Sequence, residues 1–479
     1  MRVRQLAGHL QIVRPHIRRL LPARLHHIAG HAGRWLVRRI EARMSDAPIA
    51  LPALLSGPSP MNSDDGKPFS IAIVGESLLA GGAERQMVNL ARELAARNHR
   101  VLLLTLRSEE GPQLRFFLDE VAGRENLVVR NAMPVASATR HLIEASGGDS
   151  FDALRRSLSW APFDVISDII RLVAELYLAR ADVVHGFQDA PGIGGAFAAL
   201  ALGTPRIIVS GRNLHPEHFS HGRPYMRPAY RALAEHRSVM LVNNSTAGAR
   251  SYAEWLDLEE GAIRVVRNGI SRKAFAVASA EEIGAFRRKL GLLPGEFLVG
   301  GMFRLQAEKR PLLWLEAAIG IHHRMPNTRF VIFGDGTMRR QILKAATHAG
   351  FRDRLLMPGN TSEARVAIAA LDVLLLTSSL EGTPNVVLEA GSIGVPIVAT
   401  DAGGTAEAMI DGQMGLLVRE DGVGKEGLTA GLTEAVVSVL AGNISLDRAA
   451  TVGPNFVNTY FGIERMVEET MALYQGPSA

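Results

Sequence analysis

Short apolar runs of strand length alternate along this chain with glycine-bearing turns and amphipathic segments of helical spacing. From Phe69, F-S-I-A-I-V-G reads as a strand, followed by the turn E-S-L-L-A-G-G-A-E-R. A helix is predicted from about Ala83 to Arg97, with Val88, Leu90, Ala91, Leu94 and Ala95 on its buried side. H-R-V-L-L-L-T-L, from His99, is the next strand. Strand, glycine turn, helix, strand is the opening unit of a doubly wound sheet. Asn131 to Trp160 has no clean strand pattern and reads as an insertion or helical excursion, with an amphipathic helix around Val165 to Leu178 after it. Further strands are predicted at Ala181 to Phe187, Thr204 to Asn213 and Ser238 to Ser245, with Asn244 and Ser245 opening the next helix.

Ile263 to Ile270 reads as a crossing into a second series of the same kind. That series starts at F-L-V-G-G-M-F-R-L-Q and continues at Arg329 to Gly336, Arg354 to Thr361, Asp372 to Ser379 and Val395 to Glu407. A last helix is predicted at roughly Ile463 to Tyr474. At 479 residues the chain exceeds what one hydrophobic core usually serves. The expected division is an extension and linker over 1–68, a first α/β domain over 69–265, a second over 266–455, and a terminal helix over 456–479.

Composition changes this picture at one end. Ten Arg and one Glu between residues 1 and 44 give about +9 against a formal +5 for the chain, so the remainder carries −4. No basic stripe marks that remainder, which argues against a nucleic-acid partner. In the extension Val3, Leu6, Leu10, Val13, Ile17 and Leu20 recur at helical spacing among Arg and His, interrupted by Pro15 and Pro22. Such a basic amphipathic segment suits peripheral contact with an anionic membrane. A solvated tail, or upstream sequence before a true start at Met44 or Met61, are the alternatives. Its apolar residues are too dispersed for a secretory signal, and no run approaches the ~18 residues of a membrane span. The absence of cysteine excludes disulfides and Cys-ligated metal, and is compatible with the cytoplasm. The expected location is cytoplasmic, with possible peripheral attachment to the inner face of the cell membrane.

The densest chemistry lies in S-S-L-E-G-T-P-N-V-V-L-E-A, Ser378 to Ala390. Thr383 suits the N-cap of a helix and Pro384 its first position. Glu381 then falls on a strand-to-helix loop and Glu389 more than a turn inside the helix. Between them, free amides and the positive end of the helix dipole make an anion site. A ligand with an anionic centre and hydroxyls on both sides, such as a nucleotide diphosphate sugar, satisfies all three elements. A solvated helix with two unrelated Glu is the plain alternative. Arg304 and Lys309, on a loop after a strand, can neutralise a diphosphate and the charge that grows as a sugar departs, unless the loop is merely basic and exposed. Gly81 and Gly82 allow close backbone approach to a ligand or simply a tight turn. They are not a G-x-G-x-x-G fingerprint, which argues against a nicotinamide enzyme. His185 lies near the carboxyl end of a parallel strand, where open sheets bind ligands, though a lone His is more often structural. Arg212 and Asn213 line an acceptor cleft or cap their loop.

E-G-T-P-N-V-V-L-E-A resembles the E-x7-E motif of retaining glycosyltransferases with two facing Rossmann-like domains, the GT-B architecture, family 4 in particular. The resemblance implies that Glu381 faces the transferred sugar and Glu389 the nucleotide ribose. The backbone through Thr383, Pro384 and Asn385 would hold the diphosphate. G-G-A-E-R is similar to the family's loop that approaches the donor phosphates, and D-V-V-H to the segment whose His lies beside the reacting sugar. Arg304 and Lys309 match the cations of G-R-L-x-x-x-K-G, with Phe303 and Arg310 in place of its glycines. Arg267 replaces the Pro of the family's crossing segment. Gly334 falls in its G-x-G turn, Arg354 to Thr361 where relatives hold the base, and Gly403 and Gly404 near the phosphates, while Glu407 reads as a cap for the helix after it. The last helix would return to the first domain. The resemblance covers roughly residues 69 to 475, strongest from Arg304 to Leu417.

The chain is therefore expected to be an α/β protein of GT-B type. It would transfer a sugar from a nucleotide diphosphate sugar to a glycan or lipid-linked acceptor, with retention, in the synthesis of a surface polysaccharide or glycolipid. No D-x-D motif sits at a strand end, so no metal and no cofactor are expected. The alternatives are an epimerase or hydrolase of the same architecture, or a non-catalytic nucleotide-sugar-binding scaffold.

Overall fold

The computed structural model describes residues 49, 51–52, 55, 67–107, 116–444 and 448–476. The basic segment 1–44, and with it the expected membrane contact, lies outside the described residues. The first sheet contains β1 (Ser70–Gly75), β2 (Arg100–Thr105), β3 (Leu127–Asn131), β4 (Val183–Phe187), β5 (Arg206–Gly211), β6 (Val239–Asn243) and β7 (Arg264–Val265). Their order is β3-β2-β1-β4-β5-β6-β7 and every pairing is parallel. The second sheet contains β8 (Phe297–Met302), β9 (Thr328–Phe333), β10 (Leu355–Gly359), β11 (Val373–Leu376), β12 (Ile397–Thr400) and β13 (Gly415–Val418). It repeats the plan as β10-β9-β8-β11-β12-β13, again all parallel. Two doubly wound sheets of this kind are the GT-B architecture.

In each sheet the chain winds one way from its first strand and then the other way from the neighbouring strand. The order therefore reverses between β1 and β4, and between β8 and β11. Ligands of open α/β sheets bind outside the carboxyl ends of strands at that reversal. Gly81 follows β1 and Gln188 follows β4, while Arg304 follows β8 and Glu381 follows β11. The fold thus places one loop from each strand of each reversal around one cleft.

The central strands are near-continuous apolar runs because helices cover both faces. One face of the first sheet buries Ala72, Val74, Val184 and Val209 with Phe197 and Leu172. The other buries Ile71, Ile73, Leu103 and Val183 with Met87 and Leu90. The second domain has one core around Val299, Phe330, Leu374, Val398 and the fully buried Trp314. Trp314 Nε1 donates to the Leu375 carbonyl at 3.0 Å, so its polar atom is satisfied.

The helix predicted at Ala83 to Arg97 runs Gly82–Ala96, and the excursion folds as helices Val135–Ser146 and Gly148–Ser157. β3, just before it, was not distinguished by pattern. It is a short edge strand with Val128 exposed, so it lacks the continuous apolar run that marks its neighbours. The last helix, Ile463–Gln475, packs on the first domain, where Ile463, Met466, Val467 and Tyr474 join its core. Ile270 of the crossing segment anchors the return, its N–H donating to the Phe461 carbonyl at 2.7 Å.

Candidate active site

A cavity of about 910 Å³ opens between the two domains and is lined from both. Arg304, Lys309, Gly334, Glu381, Thr383, Pro384, Asn385 and Glu389 line it from the second domain, and Gly81, Gly82, Arg212 and Asn213 from the first. Asn360 and Thr361, in the loop after β10, line it as well.

Lys309 Nζ and Glu381 Oε1 form an ion pair at 2.6 Å, with Glu381 almost fully buried. The loop carrying Lys309 is fastened to the Glu381 segment by backbone: Ser379 N donates to Glu308 O at 2.8 Å and Thr377 Oγ1 to Lys309 O at 3.1 Å. Cation and carboxylate are thus fixed relative to each other before any ligand arrives. Arg304 is exposed and has no ion pair among the described residues, leaving its guanidinium free to meet an anion. Gly334, at φ 124°, lies so close to this loop that a Cβ would collide with the Phe303 carbonyl oxygen. That close approach explains a glycine there.

Glu389 lies inside the helix Asn385–Ile393, buried but facing the cavity. Burial pushes its carboxyl above the usual range, partly offset by the Arg85 guanidinium. No protein group is bonded to that carboxylate among the described residues. A ligand offering two hydroxyls would supply the missing donors.

The start of this helix corrects the expected cap. Pro384 occupies the N-cap position and no side chain caps the helix. Thr383 Oγ1 instead donates to the Asn244 carbonyl of the first domain at 2.6 Å. Asn385 also crosses: its Nδ2 donates to Gly82 O at 2.9 Å, and its Oδ1 accepts from Asn268 Nδ2 at 2.6 Å and Gln86 Nε2 at 3.2 Å. The first-turn amides therefore remain without side-chain partners, as an anion site requires.

Three other expectations are corrected. His185 does not line the cavity. Its side chain lies on the sheet face covered by the last helix, with Nδ1 2.7 Å from the Tyr474 hydroxyl and the Phe187 ring 4.6 Å away. Burial, with the nearby Arg212 charge adding to it, pulls its pKa down to about 3, so the ring is neutral. Gly403 and Gly404 do not line the cavity either. A Cβ on Gly404 would collide with the Gly382 carbonyl oxygen, and Gly404 N donates to Glu381 O at 3.1 Å. These glycines support the Glu381 loop from behind. Glu407 caps a helix, but one in the opposite domain: it accepts from Thr246 N and Ala247 N, both at 2.8 Å. Ser245 caps that same helix as expected, its Oγ accepting from Gly248 N at 3.0 Å.

Some groups at the site escaped sequence reasoning. Asn244 and Asn268 sit at the domain junction, where Arg212 Nη2 donates to Asn268 Oδ1 at 2.6 Å. Glu84, within G-G-A-E-R, is buried and accepts from Gln188 Nε2 at 3.2 Å, bracing the glycine turn from inside. The signal for the two asparagines was their place near predicted strand ends, and for Glu84 its place in G-G-A-E-R.

Two doubly wound domains that bring a carboxylate–lysine pair, a free arginine and an uncapped helix start into one cleft define a GT-B glycosyltransferase. The family models for glycosyl transferases group 1 and for glycosyltransferase family 4 match residues 282–435 and 80–273. The chain belongs to this glycosyltransferase family. It is 30% identical over 421 residues to the Vi polysaccharide biosynthesis protein VipC/TviE of Salmonella typhi, covering 85% of this chain and 68% of that one. It is 29% identical to the UDP-Gal:alpha-D-GlcNAc-diphosphoundecaprenol alpha-1,3-galactosyltransferase of Escherichia coli, over 50% of this chain and 62% of that one. The fold is shared with Anabaena Alr3699/HepE, solved with UDP and glucose, at a TM-score of 0.65 and 18% identity, covering 84% of this chain and 98% of that one. WaaG, a glycosyltransferase of lipopolysaccharide biosynthesis, matches at a TM-score of 0.61 and 17% identity, covering 84% and 100%.

Proposed function

We propose that this enzyme transfers a sugar from a nucleotide diphosphate sugar to a glycan or lipid-linked acceptor, with retention at the anomeric carbon, in making a bacterial surface polysaccharide or glycolipid. The observation that carries the reading is the set of groups in the cavity. The unbonded Glu389 carboxylate, the free amides at Asn385 and the Glu381–Lys309 pair all line it, matching the ribose, diphosphate and sugar of such a donor. Glu381 Oε1 is engaged by Lys309, which leaves Oε2 for a sugar hydroxyl. Arg304, Lys309 and the amides would stabilise the departing diphosphate. The acceptor oxygen bonds to the anomeric carbon on the leaving-group face as the bond to phosphate oxygen breaks, and a donor phosphate oxygen takes the acceptor proton. The surface-polysaccharide setting is supported by the Salmonella relative, whose similarity extends over most of this chain.

These cations supply the positive charge the leaving group needs, so the proposal includes no metal ion, and activity should persist in EDTA. Calorimetric titration with UDP-, GDP-, ADP- and dTDP-sugars tests the donor assignment. A clear preference, lost in Glu389→Ala, supports it; binding unaffected by that change would overturn it. Incubation with donor alone separates a transferase from an epimerase, which would convert the free nucleotide sugar.

A further inference from the structure

The cavity continues beyond the donor elements onto a wall of the first domain, where a second substrate must lie. On that wall Asp189 stands directly after β4, at the strand reversal. Tyr230 and Tyr252, from the helices Met226–Ala234 and Thr246–Leu256, both donate their hydroxyls to its Oδ1, at 2.8 and 2.5 Å. The two rings are buried and meet edge to face at 5.5 Å, so the carboxylate is held in one orientation. Both hydroxyls are taken up by Oδ1, which leaves Oδ2 for a ligand.

Two further observations separate Asp189 from its neighbours. The other carboxylates of the wall are each tied to a guanidinium: Glu76 to Arg107 at 2.6 Å, Asp164 to Arg223 at 2.6 Å and Asp168 to Arg171 at 2.8 Å. Asp189 has no ion pair among the described residues. The preceding Gln188 holds φ 67°, ψ 170°, a conformation costly for any residue but glycine. Its N–H bonds Ser210 O at 3.0 Å and its side-chain amide bonds Glu84, so the surroundings enforce that turn. Phe219, half-buried, lines the same region and offers apolar surface to a ring.

We propose that Asp189 binds the acceptor. Its Oδ2 accepts a hydrogen bond from a hydroxyl of the acceptor sugar, which fixes which neighbouring hydroxyl meets the anomeric carbon. Tyr230 and Tyr252 are positioning residues that act through the carboxylate. The assignment rests on the transferase reading above.

Wild type and Asp189→Asn are compared with the nucleotide sugar selected by the donor panel, using the butanol-extracted glycolipid and the polysaccharide fractions of the source cells as acceptors. Donor binding and acceptor-free donor hydrolysis should stay within about twofold of wild type, while the acceptor KM rises about tenfold or more. Tyr230→Phe, which keeps the carboxylate but loosens it, should raise the same KM by a smaller factor. It carries the test alone if Asp189→Asn melts well below wild type. An unchanged acceptor KM, or a loss of donor binding parallel to the loss of transfer, overturns the assignment. A wild type that binds a donor but transfers to neither fraction overturns the acceptor class and the assignment with it. A wild type that binds no nucleotide sugar instead defeats the transferase reading itself.

Discussion

The two glutamates of the E-x7-E segment do different physical work. Glu389 carries a buried charge with no protein bonded to it, so its ionised form costs stability until a ligand arrives. Its pKa is raised on folding, so the fold loses stability as pH rises from the ordinary carboxylate value through the raised one. Glu389→Gln should therefore leave the melting temperature at pH 7 unchanged or raise it by about 2–4 °C, while weakening nucleotide-sugar binding. A fall in melting temperature would show that the charge is satisfied in the free protein. Glu381 is opposite in character, because Lys309 compensates it. Lys309→Ala should lower kcat by about 100-fold, affect donor Kd less, and destabilise by stranding Glu381. The double variant Lys309→Ala, Glu381→Gln should regain stability and not activity, read by melting and turnover together. These three side chains were legible because each sits in a local pattern after a recognisable strand. Asp189 was not, because its role depends on two tyrosines that lie more than forty residues further along the chain.

At the scale of elements, the helix Asn385–Ile393 was expected to be capped locally and is instead joined to the first domain. Local pattern correctly predicts a helix start after Thr383, but the Thr383 hydroxyl is oriented to donate to Asn244 O across the junction and accepts from no helix amide. The consequence is functional: the anion site and the domain junction share the same two residues. Asn385 makes two hydrogen bonds to the first domain, to Gly82 and Gln86, and a third to Asn268 in the crossing segment. At about 1 kcal/mol each, their removal in Asn385→Ala should loosen the closed arrangement. Donor affinity should fall about tenfold and the solution radius of gyration should rise. Small-angle scattering and calorimetry on the same sample check this, and a tenfold loss of affinity with no change in shape would place Asn385 at the ligand only. Gly404 and Gly403 teach a related lesson. Their motif position suggested ligand contact, yet the first requirement there is clearance from the Glu381 loop.

For the whole molecule, the last helix ties the two domains together: it leaves the second domain and closes the core of the first. His185 shows how this misled a reading by motif. The helix and strand were both placed by their apolar pattern, but alternation along a strand gives two faces and does not say which one a second element will cover. The Tyr474 hydroxyl meets His185 Nδ1 on the covered face, and His185 does not line the cavity. Since burial lowers the His185 pKa from about 6.5 to about 3, the ring stays neutral when folded and protonates when unfolded. Its contribution is fully present above pH 6.5 and is lost as pH falls toward 3. At pH 5 the loss is about 2 kcal/mol. His185→Gln keeps an acceptor for Tyr474 and cannot titrate. The wild type should therefore lose several degrees more melting temperature than this variant between pH 7.5 and pH 5. Donor affinity at pH 7.5 should be the same in both proteins, because His185 braces the return of the chain and does not touch the cleft. Parallel melting curves across that range would place the neutral ring's stabilisation elsewhere, and lost donor affinity would return His185 to the site.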